Sequence, residues 1–436
     1  MSRALHVPAE EITPSLDLDL VVAGGGSAGF AAALTGARRG LRTLLVEEMP
    51  FLGGMSTGGA VGTYCGFYLR RRDGELEPIV GGLPLEIAQT LRARGSAYGP
   101  IPFKTTAVLP YVPFATKLLL EELVRAEPRL TVWLHAKASR AIVEGTTLAG
   151  VVIETRAGRR AVRAAAFVDA TGDAALAREA GAGTRRGAEI QYPSMMFTMQ
   201  NVRLDEAMPK LAAFASLVEE GFAKEGLPRR GGNLIPTGRP GEVLVALSRI
   251  SLDGRPVDGA DPEELTYGEM EGRVQAVRLA DFLKRRMPGF AEAYLADTAP
   301  RLGVRETRTV EGETTLTEDD VLGLRKFEDG IGRCAWPVER HIAGGETQWK
   351  LLEPETWYTI PLGALVAKGV DNLFVAGRCL SAVGGGFASA RVIGPCMLAG
   401  QAVAVAAEQV VRAGARARSV DVDRVREDLG RLGVPL

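Results

Sequence analysis

Apolar runs that end abruptly in glycine recur along this chain. The first, Leu18-Asp19-Leu20-Val21-Val22-Ala23, reads as a strand and runs into Gly24-Gly25-Gly26-Ser27-Ala28-Gly29. An alanine-rich stretch from Phe30 to Gly40 reads as a helix that Gly40 ends, and Arg42 to Val46 reads as a second strand. Phe114 to Ala126 has helical character, followed by the strand-like Leu130-Thr131-Val132-Trp133-Leu134. Ala141-Ile142-Val143, Leu148 to Glu154 and Ala161 to Val168 have the lengths and alternation of a small β-meander. The meander ends in Asp169-Ala170-Thr171-Gly172-Asp173, a second strand-to-glycine junction. Residues 62–104 read as irregular. From residue 191 to about 355 the pattern changes to mixed helices and longer loops, with one clear helix from Gly268 to Arg286. The opening style then returns. Asn372-Leu373-Phe374-Val375-Ala376-Gly377 is a third junction, and a long helix of small residues starts near Pro395. Arg412 to Arg431 reads as a solvated helical face.

Composition narrows the class. At 436 residues the chain has room for two or three domains. The net charge is −1 with 24% charged residues, so nothing marks a nucleic-acid footprint. The 53 glycines exceed the usual share of about 7% and point to many close backbone approaches, as around a large nucleotide. The 3 histidines (His6, His135, His341) are far apart, and the 4 cysteines (Cys65, Cys334, Cys379, Cys396) form no CxxC pair. No metal site and no disulfide framework are expected. Met1 to Pro14 lacks the apolar core of a signal peptide, and no uncharged apolar run approaches the ~20 residues of a membrane span. The expectation is a cytoplasmic protein with no nucleic-acid or membrane partner, and a homodimer.

The first junction carries the most chemistry. Gly24, Gly26 and Gly29 have GxGxxG spacing between strand and helix. In that pattern the glycines allow the tight turn, the approach of backbone to a pyrophosphate and close helix–sheet packing, while the helix N-terminus faces the phosphates. Glu47 ends the second strand, where a carboxylate can accept from both ribose hydroxyls of an adenosine; the alternative is a solvated strand end.

Together with Gly53-Gly54, Ala170-Thr171-Gly172-Asp173 and Ala376-Gly377-Arg378, these residues resemble the FAD-dependent oxidoreductases with a glutathione-reductase-type flavin domain. More narrowly, Gly303-Val304-Arg305-Glu306-Thr307-Arg308, Asn372 to Ser381 and Gly394 to Gln401 resemble one widespread flavoprotein family. More distantly the set is similar to the flavoprotein subunits of fumarate reductase and succinate dehydrogenase. The resemblance implies an α/β chain: a Rossmann-like FAD-binding domain of three-layer ββα architecture (15–61, 105–190 and 356–436) plus a second α+β substrate or cap domain (62–104 and 191–355). It implies FAD as cofactor. Gly24, Gly26, Ser27, Ala28 and Gly29 would hold the pyrophosphate, and Glu47 with Glu48 the adenosine end. Gly53, Gly54, Met55, Ser56 and Thr57 would line the ribityl and isoalloxazine, and the backbone at Lys137-Ala138 would meet the adenine. Ala170, Thr171 and Gly172 would close over the cofactor, and Gly377 and Arg378 would approach its ribityl. Gly394 and Pro395 would open a helix aimed at the pyrimidine end of the flavin.

For the reaction the candidates are Arg305, Arg308, Arg391 and Tyr64. Two guanidiniums three residues apart can grip a carboxylate; the alternative is an ion pair with Glu306 or Glu311. Arg391 precedes the flavin-facing helix, and Tyr64 is a proton-donor candidate. Cys65, His341 and Tyr358 are weaker candidates, Cys65 more simply a small filler. No histidine lies between His6 and His135, which excludes the histidyl flavin linkage of the succinate dehydrogenase type. No second GxGxxG-plus-acid unit and no CxxC accompany the flavin motifs, unlike the pyridine-nucleotide disulfide reductases. The expected function is an FAD-dependent dehydrogenase or reductase that moves a hydride between a small organic molecule, with a carboxylate among the candidates, and flavin N(5). An FAD-dependent monooxygenase or oxidase is the alternative, and a non-redox binding module on the same fold ranks below both.

Overall fold

The structure is a computed structural model that describes residues 11–436; Met1 to Glu10, His6 among them, lie outside the described residues. Its centre is a parallel sheet in the order Leu130–Trp133, Thr43–Val46, Pro14–Ala23, Gly158–Asp169, Leu373–Val375. The long strand Gly158–Asp169 serves two layers. Its end pairs in parallel with Leu373–Val375, while its beginning is the last strand of the antiparallel meander Lys137–Glu144, Thr147–Thr155, Gly158–Asp169.

Side-chain alternation divides the first strand between two cores. Leu20 and Val22 pack with the helices Ser27–Arg38 and Ile393–Ala413. Val21 and Ala23 pack with Val151, Ile153 and Val162 of the meander. Helices, parallel sheet and meander are thus three stacked layers, and the α/β Rossmann-like expectation holds.

A second unit has its own core. The strands Asn233–Pro236, Val243–Ala246, Phe197–Gln200 and Tyr294–Thr298 form an antiparallel sheet in that order. Phe197, Val243 and Val245 bury against Phe214 and Phe282 from the helices Phe214–Glu225 and Pro262–Arg286. The latter helix begins six residues before the expected Gly268. Asp261 accepts from the backbone N–H groups of Glu263 and Glu264 and Pro262 takes the first turn, a start signal built of capping rather than periodicity.

Residues 62–104 are more regular than their sequence suggests. Thr63–Arg70, Leu76–Pro78 and Ile101–Phe103 join Thr106–Pro110 in a four-stranded sheet, and Leu83–Ala93 is a helix. Two of these strands have three residues, too short for alternation to register. Tyr64, Phe67, Ile87 and Leu91 share the core of the helix Ile393–Ala413. Near the C-terminus, Val422–Arg431 buries Val425 and Leu429, so that stretch is half core rather than wholly solvated. Among the described residues no single helix is long and apolar enough to cross a membrane; the sharply bent pair Gly384–Ala390 and Ile393–Ala413 passes only jointly, and both are buried along most of their length.

Candidate active site

The carboxyl ends of the parallel strands open onto one cavity of about 540 Å³, the place where open α/β sheets bind ligands. Gly24, Gly26, Ser27 and Ala28 line it from the first junction, Glu47 and Glu48 from the second strand, and Gly54 and Met55 from the next loop. Ala138, the junction Ala170-Thr171-Gly172, and Gly377 with Arg378 complete the lining expected from sequence. Gly29, Gly53, Ser56 and Thr57 stand behind this wall. Gly53 is bridged to Gly26, and the Ser56 and Thr57 hydroxyls donate to the carbonyls of Gly53 (2.7 Å) and Leu52 (2.5 Å), so they shape the loop and do not face the cavity.

Close approach explains the first glycine. Gly24 has φ +94°, and a β-carbon there would lie 2.5 Å from the Ala170 carbonyl oxygen. Two strand ends are thereby drawn together under the cavity floor. The helix Ser27–Arg38 has no side-chain cap at Gly26, so N–H groups of its first turn lack a side-chain partner. Glu47 is 6% exposed, and its carboxylate accepts from the backbone N–H groups of Gly25 (2.6 Å) and Met49 (2.8 Å). Burial pushes the Glu47 carboxyl up, and those two bonds oppose the shift. Arg301, which sequence reading missed, lines the same cavity and its charge acts on Glu47. An uncapped helix start, a glycine floor and a carboxylate at the second strand end fit a dinucleotide such as FAD.

The mid-chain motif works in two directions, because the chain bends at Thr307 before the strand Arg308–Val310 begins. The Thr307 hydroxyl donates to the Gly172 carbonyl (3.2 Å) and Asp173 (2.8 Å), and Arg308 donates to the Asp173 carbonyl at 3.3 Å and lines the cavity. Arg378 reaches the Val304 carbonyl (2.8 Å) and Asp173 (3.6 Å). Arg305 turns away and donates to the Tyr192 carbonyl (2.6 Å) and the Ser194 hydroxyl (2.9 Å). Arg305 and Arg308 therefore do not form the expected clamp. Nor are they ion-paired with Glu306, which accepts from Gln191, or Glu311, which pairs with Arg185.

Arg305 instead joins Arg391. Burial and then the Arg391 charge push the Arg305 pKa down, and Glu339 is the counter-charge felt by both guanidiniums. Arg391 lines the cavity and donates to Gln191 (3.1 Å) and to the Glu339 carbonyl (3.4 Å), while its Nε is buried without a partner. Burial alone raises the Glu339 carboxyl. His341 at 3.2 Å and the two guanidiniums overcome this and hold it at about 2. Arg229 and Arg249 add their charges to the cluster without lining the cavity. Gln191, Arg229, Arg249 and Glu339 carry no motif; they converge from separate segments and had no sequence signal.

Tyr64, Tyr358, Gly394, Pro395 and Cys65 are structural. Tyr64 is fully buried, stacked on Tyr111 (4.0 Å between ring centres), with its hydroxyl against Thr116, and burial raises its phenol; it does not donate protons to the cavity. Tyr358 is buried with its hydroxyl on Ser389. Gly394 and Pro395 abut Gly66 of the strand Thr63–Arg70, because the helix starts at Ile393 rather than Pro395; Ile393 and Cys396 line the cavity in their place. Cys65 lies beside Glu339 and Arg391, its thiol pushed up to about 12 by burial, which suits a filler.

His341 has both ring nitrogens engaged, Nε2 with Glu339 and Nδ1 with the Thr347 hydroxyl at 3.3 Å. Burial, then the Arg305 charge, pushes its pKa well below 6.5. The unfolded chain thus takes up a proton below pH 6.5 that the folded chain refuses. Stability present above that pH is lost as the pH falls, by up to about 1.4 kcal/mol per unit. His341→Gln should flatten the fall in melting temperature between pH 7 and 5; an unchanged pH profile would remove His341 from the acid response.

Solved structures of similar shape include p-nitrophenol 4-monooxygenase PnpA from Pseudomonas putida DLL-E4 (13% identity, 95% of this chain and 86% of that one, TM-score 0.49). A geranylgeranyl bacteriochlorophyll reductase-like protein from Thermoplasma acidophilum (16%, 96% and 83%, 0.47) and the flavin-dependent brominase Bmp2 (15%, 94% and 83%, 0.49) are comparable. No curated protein matches the chain. The family model described as FAD dependent oxidoreductase matches residues 19–429, nearly the whole chain. The chain belongs to the FAD-dependent oxidoreductase family, and its cofactor is FAD.

Proposed function

We propose that this enzyme transfers a hydride between a small carboxylate substrate and flavin N(5), on a flavin domain of the glutathione-reductase type. The carrying observation is Arg391, a cavity-lining guanidinium with a buried, unpartnered Nε, backed by Arg305. Bound FAD supplies a two-electron acceptor or donor. The chain supplies position and charge. Arg391 orients the carboxylate by a charge-assisted hydrogen bond, and Arg305, pinned by Tyr192 and Ser194, adds positive potential without moving. Glu306, whose carboxyl burial pushes up, is the proton carrier in this neighbourhood. In this reading residues 15–61, 105–190 and 356–436 hold the cofactor and residues 62–104 and 191–355 the substrate. Arg229, Arg249, Arg305, Glu306 and Glu339 come from the second set, and Arg391 is where the two meet.

The test is anaerobic bleaching of the oxidised flavin by a panel of carboxylates, alcohols and amines. At least one carboxylate should bleach the flavin. Bleaching by neutral compounds or amines alone would overturn the reading.

A further inference from the structure

Arg229 and Arg249 are 8% and 4% exposed, yet neither has a carboxylate partner among the described residues. The Arg229 guanidinium has a single long hydrogen bond, to the Thr347 hydroxyl at 3.5 Å, and its Nε is buried without a partner. Arg249 donates to the same hydroxyl at 3.3 Å, and to the carbonyls of Ile342 and Glu346 (2.7 Å for the latter). Two like charges thus converge on one neutral oxygen. Buried charges are ordinarily paired.

The wider cluster does not supply the pairing. Arg229, Arg249, Arg305 and Arg391 face the half-buried carboxyls Glu339 and Glu306, and the exposed Glu346 acts on Arg249 alone among them. His341 contributes no negative charge, and neither do Tyr192 or Gln191. Even with all three acids ionised, one guanidinium charge remains, and a carboxylate at Arg391 still leaves Arg229 without an ion-pair partner of its own. Of the three acids only Glu339 acts on Arg229, and that carboxylate is already engaged by His341 at 3.2 Å.

We propose that Arg229 and Arg249, with Thr347, form a second anion subsite, so that the substrate carries two anionic groups, one at Arg391 and one at Arg229. This rests on the reading that the first group is a carboxylate at Arg391. The shared chemistry is an oxyanion, either a second carboxylate or a phosphate. Arg229 reads it by charge and by its free Nε–H, and the Thr347 hydroxyl, which donates to His341 Nδ1 and accepts from Arg229 and Arg249, holds the two guanidiniums in place.

The experiment uses the holoenzyme and the absorbance change of its oxidised flavin on titration. The probes are short dicarboxylates from malonate to adipate, the monomethyl ester of each, and 3-phosphoglycerate, at constant ionic strength. At least one dianion should bind about 10-fold or more tighter than the corresponding half-ester. Arg229→Met should abolish that preference while keeping flavin content and half-ester affinity, and Arg229→Lys should restore part of it. Where Arg229→Met does not fold, Thr347→Val replaces it and should weaken dianions alone. Preference for 3-phosphoglycerate over every dicarboxylate would identify the second group as phosphate. Equal binding of diacid and half-ester, or an unchanged preference in Arg229→Met, would overturn the subsite. Binding of neither by the wild-type enzyme would remove the carboxylate at Arg391, and the second subsite with it.

Discussion

Gly29→Ala should purify with little or no flavin and melt at a lower temperature than the wild type. A β-carbon at Gly29 falls within the carbonyl oxygen of Gly24 and 3.0 Å from the Ala170 β-carbon. Both neighbours are held. Gly24 N–H donates to the Val46 carbonyl at 2.8 Å, and Ala170 N–H to the Ala23 carbonyl at 2.8 Å. Backbone cannot rotate away as a side chain does, so the first helical turn or the Asp169–Gly172 junction must shift. Such overpacking costs about 1–3 kcal/mol. The same shift moves the N–H groups that face the cofactor, and a loss of at least about 100-fold in FAD affinity is expected, near 2.7 kcal/mol. Flavin absorbance per protein, fluorescence titration of the apoprotein and a melting curve measure all three. Gly26→Ala is the contrasting variant. Its β-carbon would meet only the Gly54 Cα, at an ordinary 3.8 Å, on a residue that lines the cavity. It should melt normally and still bind FAD less well. A Gly29→Ala protein with full flavin content and normal melting would show that the junction yields more easily than its contacts indicate.

That contrast marks what the sequence makes legible. The junctions at Gly24, Gly172 and Gly377 stand out because each has a positive φ (+94°, +83° and +72°), with close backbone approach added at Gly24, and that demand for glycine leaves a local trace. Glu47 is legible for a related reason, since it closes a strand of known length after a helix of known length. The substrate side leaves no such trace. Tyr64 and Cys65 show how parity is lost. In a strand neighbouring side chains face opposite ways, and an irregular loop reading of 62–104 gives no basis for choosing which one points inward. The structure puts Tyr64 in the core and Cys65 beside Glu339. Arg305 and Arg308 look like a helical pair at spacing three, but no helix forms there and the bend at Thr307 separates them. Arg229, Arg249 and Glu339 sit in three unrelated segments, and only tertiary folding brings their charges together.

Arg391→Met should keep its flavin and lose turnover of the carboxylate substrate, by about 10² to 10⁴ in kcat/KM. Methionine preserves much of the buried stem while deleting the donors to Gln191 and the Glu339 carbonyl. Two effects then separate. Lost packing or a shifted Gln191 would weaken every substrate alike. A lost carboxylate contact weakens only the acid, and each factor of ten corresponds to about 1.4 kcal/mol of transition-state stabilisation. The decisive comparison is therefore kcat/KM for the acid against its neutral amide, in wild type and variant. The acid should fall by the full factor and the amide by less than about 3-fold. Arg391→Lys should recover only part of the loss, because an ammonium lacks the planar pair of donors. Equal losses for acid and amide would reduce Arg391 to a positioning residue for Gln191 and Glu339. The Arg305 charge would then be left as the nearest candidate for the carboxylate, and Arg305→Met would have to show the acid-specific loss instead.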